Sequence, residues 1–552
     1  MKACAAHHNL PPYTIVGNLF LPVPDTEFHD FLLQIDEFVK FAPEILEVID
    51  QDLDKHGIND KKKRLKDKRF IEEMTGELPG IQLEKYPVND FELNLNVGRP
   101  RMSAYLAYVF LMIRGKLGSV TSQKAVTFIR ESISLYSFLQ NRRYKLPAPT
   151  TILENINAIS NETRDWIFMR QLSFVRGEKL DDFKKLIADS THVKANSAWP
   201  TDSMILTGLL RRAHRMGEHL DIFELPNFHP GWMNLWLRKM KNLNFNINLI
   251  AGKPKSKAKI NKLYRDLLDY GRNTVRHLDK ELEAFEEKYQ PFDYILPSRR
   301  EMLNRVLQQI REDIGDAYRV IRYTEDRIFE GKVIGSRDKV LSLSDKTAAY
   351  IKKGGREPVI GYKPQVARSE HGFITSLIVE EGNPADSVKL IDVVEDAVTR
   401  TRIVPEIVSV DDGYASKKGR NLVLGLGVSI VSISGSKGKK LIGDEDWESE
   451  EYQDARNDRS AVESLIFVLK YCYYFGRMGR RGIEAVRAEM LEKVLAYNCC
   501  RIIHERKKQQ RFLMKNLSKP LKQRSGQSSV IKHSRIGFTE DVFSEYHRKI
   551  SR

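Results

Sequence analysis

The sequence has few cysteines and no long apolar run. Its four cysteines, Cys4, Cys472, Cys499 and Cys500, include no C-x-x-C pair and no histidine partners at zinc-binding spacing, so we expect reduced, mostly packed thiols in a cytoplasmic protein. The longest apolar run, residues 422–433, is interrupted by Gly and Ser and falls short of the roughly 18 to 20 residues that cross a bilayer. The first ten residues lack a long hydrophobic segment, so we expect no secretion signal and no membrane partner.

Positive charge, by contrast, is abundant. The 552 residues include 90 Lys and Arg against 74 Asp and Glu, which gives a formal net charge of +16. Each Lys or Arg that neutralises a phosphate releases counterions, so this excess favours binding to a polyanion. Charge alone does not distinguish DNA from RNA or from anionic lipid. The composition, 41% apolar and 30% charged, is typical of a globular protein, and the length predicts two or three domains.

Two short apolar runs each end in an acidic residue. Residues 408–410, Val-Ser-Val, are followed by Asp411, and residues 186–188, Leu-Ile-Ala, are followed by Asp189. Brief β-branched or apolar runs bounded by turn residues are typical of buried strands. The pattern therefore predicts two strands that each place a carboxylate at one end.

A third acid lies in a predicted apolar helix, residues 459–470. Glu463 stands between Arg459 and Lys470 at steps of four and seven residues. Both steps are close to whole helical turns, so the three side chains are expected along one side of the helix. The simplest interpretation of Arg459 and Glu463 is a surface ion pair worth about 0.2 to 0.5 kcal/mol.

In the order Asp189, Asp411, Glu463, with Arg459 and Lys470 at these spacings, the chain resembles the DDE transposases of bacterial insertion sequences. A P-T-D-S segment at residues 200–203 is similar to that of an unclassified-type group within them. The Gly- and Arg-rich turn at residues 476–482 and the Ala-Tyr-Asn at 496–498 add to the resemblance.

The resemblance implies a transposase that cuts DNA at the ends of an insertion sequence by metal-dependent hydrolysis. The freed 3′-OH would then be joined to target DNA. Asp189, Asp411 and Glu463 would hold two Mg²⁺ or Mn²⁺ ions, which prefer carboxylate oxygens. Arg459 and Lys470 would contact phosphate or position Glu463. The expected partners are double-stranded DNA, both terminal inverted repeats and target, and a second copy of the chain, in a bacterial cytoplasm close to the nucleoid.

The fold class expected is an α/β RNase H-like core, a mixed sheet flanked by helices, with a helical N-terminal region and a large all-helical insertion between the first and second core strands. The regions expected are a mostly helical segment at 1–95, a helix-turn-helix-like DNA-binding region at 96–180, the first core strand at 181–203, the helical insertion at 204–330, the rest of the core at 331–502 and a basic tail at 503–552. Residues 361–363 and 382–387 are expected in the second and third core strands. A coiled coil is the alternative for residues 260–289.

Basic residues outside the acidic site are candidates for DNA contacts, mainly to the phosphate backbone. They share exposed, flexible or turn-like sequence settings and are Arg142, Arg143, Lys253, Lys255, Lys257, Arg477, Arg480, Arg481, Arg506, Lys507 and Lys508. Helix, Gly-containing turn and helix across residues 102–130 are compatible with a helix-turn-helix.

Several alternatives stay open. Asp412 competes with Asp411, although the family pattern of an acid two residues before Gly favours Asp411. Rivals of Glu463 as the third acid are Glu445, Glu448, Asp458 and Glu484. The family often has an aromatic residue three positions before the Arg, where this chain has Arg456. A catalytically decayed scaffold, or a nuclease of this fold with no strand transfer, would show much the same sequence. A recombinase with a nucleophilic tyrosine is disfavoured because no matching Arg and His pattern is present.

Overall fold

The computed structural model describes residues 13–16, 19–22, 26–75, 101–141, 143–227, 231–352 and 357–517. Arg142 and the predicted tail beyond residue 517 lie outside these ranges. Two compact units make up the chain. Unit 1 is drawn from Met1–Leu53, Pro100–Ala195 and Tyr362–Arg552, and unit 2 from Asp54–Arg99 and Asn196–Gly361.

The strands and helices are numbered in chain order. The strands are β1 Tyr13–Val16, β2 Leu19–Pro22, β3 Lys185–Ser190, β4 Val193–Lys194, β5 Ala349–Ile351, β6 Val359–Tyr362, β7 Gln365–Ser369, β8 Ile374–Ile378, β9 Ile407–Val410 and β10 Ile430–Ile433. The helices are α1 Thr26–Phe41, α2 Glu44–Thr75, α3 Ala104–Lys116, α4 Ser122–Glu131, α5 Ile133–Asn141, α6 Pro149–Ala158, α7 Asn161–Gly177, α8 Asp202–Gly217, α9 Met233–Ile250, α10 Lys257–Tyr289, α11 Pro297–Ile328, α12 Asp386–Thr401, α13 Lys417–Gly425, α14 Ser436–Ile442, α15 Asp444–Trp447, α16 Glu450–Asp458, α17 Ser460–Cys472 and α18 Ile483–Leu517.

Unit 1 contains a five-stranded mixed sheet with the strand order β10-β9-β3-β7-β8. β3, β9 and β10 run parallel, whereas β7 is antiparallel to both β3 and β8. The chain passes from β8 to β9 through α12, and from β9 to its parallel neighbour β10 through α13, because parallel strands are joined by crossover connections. The mixed α/β class and the helical N-terminal region expected from the sequence are therefore confirmed.

One face of this sheet forms an apolar core against α12. Successive side chains of a strand point to opposite faces, so alternate residues enter this core. Its buried members include Leu186, Ala188, Val408, Val410, Val431 and Ile433 from the strands and Leu390, Val393, Val394 and Ala397 from α12. The residues between them, Ile187 and Ser409 among others, face the opposite side.

The opposite face packs against α16, α17 and α18. Ser409 Oγ donates to the carbonyl of Ala455 in α16 over 2.7 Å. Asn498 in α18 both accepts from the Ile374 amide and donates to the Ile374 carbonyl, at 2.9 and 3.0 Å. The side-chain amide of Asn498 thus takes the place of a neighbouring strand at Ile374 of the edge strand β8.

The long helix α18 also supports the N-terminal helices. It packs against α3, whose residues are buried along nearly the whole helix. A Cβ added at Gly115 would lie 2.1 Å from the Glu492 carbonyl oxygen. Only glycine therefore permits this close approach of α3 to α18.

Unit 2 is mainly helical. α8, α9, α10 and α11 pack around one apolar core, and β5 pairs with β6 in an antiparallel hairpin. The apolar stripe of α10 is buried in that core, so residues 260–289 form one member of a helix cluster and not a two-stranded coiled coil. None of the helices in the described ranges has the length and apolarity that crossing a membrane requires.

The expected positions of the second and third strands need correction. These strands are β7 and β8, whereas residues 361–363 only partly overlap the short strand β6. The segment 382–387 is not a strand, because α12 begins at Asp386. Pro384 has no N–H for a strand ladder, and it precedes the helix as a natural break.

Candidate active site

Asp189 lies in β3, and Asp411 directly follows the neighbouring parallel strand β9. β3 pairs with β9 so that Lys185, Leu186 and Ile187 lie opposite Ile407, Val408 and Ser409. Continuing this register by two residues sets Asp189 beside Asp411. The carboxyl ends of parallel strands meet at one edge of a sheet, where ligands commonly bind. The two predicted acids therefore lie side by side.

Both carboxylates point away from the apolar core. Ala188 and Val410 are core residues, so the residues that follow them face the side of α16 and α17. Asp189 is buried, and its Oδ1 accepts a hydrogen bond from the Ser190 amide at 2.7 Å. Asp411 Oδ1 accepts from the Gly413 amide at 3.0 Å.

The Asp412 carboxylate binds a helix terminus instead. Its Oδ1 accepts hydrogen bonds from the amides of Lys437 and Gly438, at 2.8 and 2.9 Å. These amides are in the first turn of α14, whose N–H groups lack partners within the helix. The carboxylate of Asp412 is thus occupied in tying β9 to α14, while that of Asp411 stands at the strand end beside Asp189.

Glu463 comes from α17 and connects to Asp189 through an arginine. Arg459 is the residue before the helix, and its Nη2 lies 2.9 Å from Glu463 Oε1 and 4.0 Å from Asp189 Oδ2. The Glu463 side chain is 58% exposed, so it borders solvent. Lys470, two turns further along the same helix, is half-buried and packs near Gly476. The structure brings Asp189, Arg459 and Glu463 together.

The helix that carries Glu463 is less buried than its composition suggests. Val462, Leu465 and Leu469 are buried against the sheet, but Phe467 and Tyr471 are 49% and 65% exposed. Their rings lie 4.3 Å apart on the same outward side as Glu463. The apolar sequence hides this amphipathic character because the outward face carries aromatic residues.

A buried polar network beside Asp411 was missed in the sequence. Asp386 at the start of α12 accepts from Gln365 Nε2 at 2.9 Å and lies 3.0 Å from Lys363 Nζ. Gln365 Oε1 in turn accepts from the Tyr414 hydroxyl. Burial, followed by the charges of Asp386, Asp189 and Asp411, raises the pKa of Tyr414 well above its usual value. Its hydroxyl therefore stays protonated as a donor.

The sequence signals for this network are weak. Asp386 lies in the loop-like segment 382–387, and Tyr414 follows Asp411 by three residues. Each residue is close in sequence to a predicted motif, but no pattern of its own marks it. A Cβ at Gly413 would come 2.9 Å from Asp411 Oδ1 and 3.2 Å from Asp386 Oδ2. Asp386 is thus a fourth carboxylate next to the strand-end pair.

Comparison with known proteins finds one family model that matches part of the chain. Residues 327–499 match the family model for the transposase DDE domain. This stretch of the chain is similar to a transposase DDE domain. No curated protein and no solved structure matches the chain. The match confirms the resemblance to insertion-sequence DDE transposases, and it contains Asp411 and Glu463, while Asp189 lies upstream of it.

The site supplies oxygen donors without a complete metal cage. Across the described ranges, no three His, Cys, Asp or Glu side chains are close enough together to hold one ion. The guanidinium of Arg459 stands between Asp189 and Glu463, where it supplies the positive charge that these acids require. Carboxylates without His or Cys suit a hard divalent cation, so the donor chemistry fits Mg²⁺ or Mn²⁺.

Most of the other basic residues predicted to contact DNA have exposed side chains, and some of them form ion pairs within the protein. Arg143, Lys253, Lys255, Lys257, Arg477, Arg481, Lys507 and Lys508 are exposed. Lys507 nevertheless pairs with Asp30 and Lys508 with Glu505. Arg506 binds Glu37 and Glu178, and Arg480 binds Glu492.

The start of the predicted tail is helical. The boundary placed at residue 503 falls inside α18, which continues to Leu517, and the Arg506 and Lys507 contacts tie this part of α18 to acidic residues of α1. In the predicted helix-turn-helix, α3 is buried, while Gln123, Lys124, Thr127 and Arg130 of α4 are exposed.

Proposed function

We propose that the chain is an insertion-sequence transposase that cuts DNA at the ends of its element and joins the freed 3′-OH to target DNA. The observation that carries this proposal is the parallel register of β3 and β9, which delivers Asp189 and Asp411 at the carboxyl ends of adjacent strands, with Glu463 linked to Asp189 by Arg459. The transposase DDE domain match supports a DNA substrate.

The sheet supports an RNase H-like core. In that arrangement three antiparallel strands are followed by two strands parallel to the first, with the first strand at the centre of the sheet. Here β3 is central, β7 and β8 extend the antiparallel side, and β9 and β10 extend the parallel side. The helices between β3 and β7 would then form an insertion into the core.

Asp189, Asp411 and Glu463 are the residues that would hold two Mg²⁺ or Mn²⁺ ions. When bound, these ions would supply water activation and charge neutralisation at the scissile phosphate. Asp386 lies close enough to Asp411 to add negative charge, and the bonds from Gln365 and Lys363 hold Asp386 in place. Because Asp189 lies in β3 and Asp411 directly follows the paired strand β9, the sheet would position both acids before any ligand arrives.

Arg459 has a second role in this proposal. Its Nε is buried and makes no hydrogen bond within the described chain, while Nη2 holds Glu463. A guanidinium with a spare donor suits a non-bridging phosphate oxygen. When Glu463 turns towards the strand-end acids, Arg459 would pass from that carboxylate to the DNA phosphate.

The chemistry consists of two displacements at phosphorus. In the first, a water oxygen bonds to phosphorus and the strand's 3′ oxygen leaves as a hydroxyl. In the second, that hydroxyl attacks a target phosphodiester and a target 3′ oxygen leaves. Neither step requires a covalent link between protein and DNA. A pair of element ends must be held together, which favours a dimer of this chain on DNA.

The test is Mg²⁺-dependent cleavage of DNA that carries the element's own terminal repeats. Wild type is compared with Glu463→Gln and with the matched control Glu445→Gln, an exposed acid outside the site. We expect cleavage to be lost only in Glu463→Gln, with DNA binding retained by all three proteins. Unchanged cleavage in Glu463→Gln would remove this residue from the site. Binding without cleavage by wild type would favour a decayed scaffold, and cleavage without joining would favour a nuclease.

A further inference from the structure

A second polar site lies in unit 1, away from the strand-end acids. A cavity of about 840 Å³ is bordered by parts of α3, α4, α6, α7 and α18 and by the Gly- and Arg-rich turn before α18. Its volume is within the range of roughly 300 to 1,000 Å³ typical of small-molecule sites. Four arginines line it: Arg114, Arg164, Arg480 and Arg481.

Arg114 is the central observation. It is 4% exposed, yet its Nε and Nη1 are buried without a hydrogen-bond partner in the described structure. A buried cation without partners is costly, because burial removes its hydration and nothing replaces it. Burial also lowers the pKa of Arg114, as expected for a cation without a directly bonded anion. Arg114 lines the cavity, so an anion bound there would lie beside it.

Other polar atoms around the cavity are also unpaired. Ser119 Oγ, Ser122 Oγ, Asn161 Oδ1 and Arg164 Nε join the two Arg114 nitrogens, which makes six of the nineteen buried side-chain atoms without a partner in the described structure. All six belong to residues that line this one cavity. Buried polar groups are normally satisfied, so such a concentration indicates a polar ligand.

The acids near the cavity are already engaged. Glu492 binds Arg164 at 2.9 Å and Arg480 at 2.7 Å. Glu489 accepts from the Gly479 and Arg480 amides and from Lys493 Nζ. Glu484, at the exposed rim, accepts from Asn161 Nδ2. These contacts leave the charge of Arg114 without a directly bonded carboxylate.

Helix ends add to the positive potential of the cavity. The first residues of α4, α6 and α7, each at least ten residues long, are part of its wall, as are Glu484 and Ala485 at the start of α18. N–H groups at helix N-termini favour anions, phosphate above all. Together with the unpaired Arg114, they define an anion site and not merely a group of helix ends.

The wall is not uniformly polar. Val120, Leu153, Ile159 and Ala488 line the cavity beside the cations. A simple inorganic anion would leave this apolar surface uncovered. We propose that the cavity binds an organic phosphate of about the size of a nucleotide, with the phosphate at Arg114 and Ser122 and the organic part along the apolar wall. The phosphate ester belongs either to a free nucleotide or to the end of a DNA strand.

The experiment is calorimetric titration of the full-length protein with three probes: AMP, inorganic phosphate and a 5′-phosphorylated DNA duplex. EDTA is included so that the acidic site cannot take up phosphate through a divalent ion. Wild type is compared with Arg114→Met, which keeps volume but removes charge, and with Arg130→Met, an exposed arginine of α4 outside the cavity. We expect AMP binding at least about tenfold weaker in Arg114→Met and unchanged in Arg130→Met.

Two further measurements test whether Arg114 has only a structural role. Without ligand, Arg114→Met is expected to melt at the wild-type temperature or above, because it removes an unpaired buried cation. Ser122→Ala should also weaken AMP binding and melt as wild type does, so it decides the matter if Arg114→Met does not fold.

Binding of the duplex alone, still dependent on Arg114, would identify a DNA strand as the source of the phosphate. The proposal fails if all three probes bind Arg114→Met and Ser122→Ala as they bind wild type. It also fails if Arg114→Met melts lower while AMP binding is unchanged. The inference does not depend on DNA cleavage, so the two proposals can fail separately.

Discussion

Unit 1 holds two polar sites whose uncompensated charges have opposite sign. At the sheet edge, the four carboxylates of Asp189, Asp386, Asp411 and Glu463 meet two nearby cations, Arg459 and Lys363. At the cavity, the cations of Arg114, Arg164, Arg480 and Lys493 surround the two buried acids Glu489 and Glu492. The first site has an excess of negative charge, and the second has an excess of positive charge.

The two sites also differ in how they are built. The acids at the sheet edge are positioned by strand register, and Glu463 remains more than half exposed, which suits a large substrate that arrives from solvent. At the cavity the side chains of Glu492 and Arg164 are 0% and 2% exposed, so their charges are fixed by each other. The comparison predicts that substitutions at the first site affect chemistry, whereas breaking the buried ion pairs of the second site affects stability.

Asp411→Asn should inactivate the first site and has the largest expected effect. The amide keeps the shape but removes a negative charge that the proposed metal ions require, so we expect cleavage of terminal-repeat DNA to fall on the order of 10³-fold or more. The measurement is the rate of strand cleavage in Mg²⁺, with melting temperature as the check on folding. Its control is Asp412→Asn, because Asn caps a helix as well as Asp does. Equal losses in both variants would contradict the assignment of Asp411.

Glu492→Gln should destabilise the protein by disrupting the ion pairs of the second site. The substitution leaves Arg164 and Arg480 without their anion, and removing one partner of a buried ion pair typically costs about 3 to 5 kcal/mol. The measurement is the free energy of unfolding in urea, in a phosphate-free buffer. Glu484→Gln, at an exposed position, is the matched control and should have little effect. A loss below about 1 kcal/mol would show that the arginines do not depend on Glu492.

The pH dependence of the free energy of unfolding should reflect the titration of Glu492. Burial raises the pKa of Glu492, but the charges of Arg480, Arg114 and Arg164 outweigh it and lower the pKa from 4.5 to about 2. A depressed pKa stabilises the fold fully above 4.5, and this contribution disappears as the pH falls to about 2. Wild type should therefore lose stability across that window more steeply than Glu492→Gln. Parallel curves for the two proteins would mean that Glu492 titrates normally.

Arg459→Met should have an intermediate effect on chemistry. It removes the cation between Asp189 and Glu463 and a charge-assisted hydrogen bond worth about 1.5 to 3 kcal/mol, so cleavage should fall by roughly ten- to a hundredfold. Arg456→Met, three residues earlier and stacked on Trp447, serves as the control. Faster cleavage in Arg459→Met would indicate that the arginine only competes with the metal ions for the acids.

The residues of these sites that could be predicted are those marked by a pattern within a short stretch of sequence. Asp411 and Glu463 are marked by a strand run and by helical spacing, both of which operate within a dozen residues. The partners Arg164 and Glu492 are 328 residues apart and meet only because α7 packs against α18. No periodicity encodes such a pairing. The Asp386 network was missed for the same reason, since its members come from separate elements.

Asp412→Ala gives the smallest effect and tests the distinction between neighbouring acids. Its carboxylate caps α14 through the amides of Lys437 and Gly438, and losing a helix cap costs about 1 kcal/mol. We expect a lower melting temperature and a cleavage rate within about twofold of wild type, because the Asp412 carboxylate is engaged by the α14 amides and is not one of the acids assigned to the metal ions. A large loss of cleavage with unchanged stability would reverse the roles of Asp411 and Asp412. Retained cleavage in Asp412→Ala beside an inactive Asp411→Asn would show that adjacent carboxylates divide chemistry and structure between them.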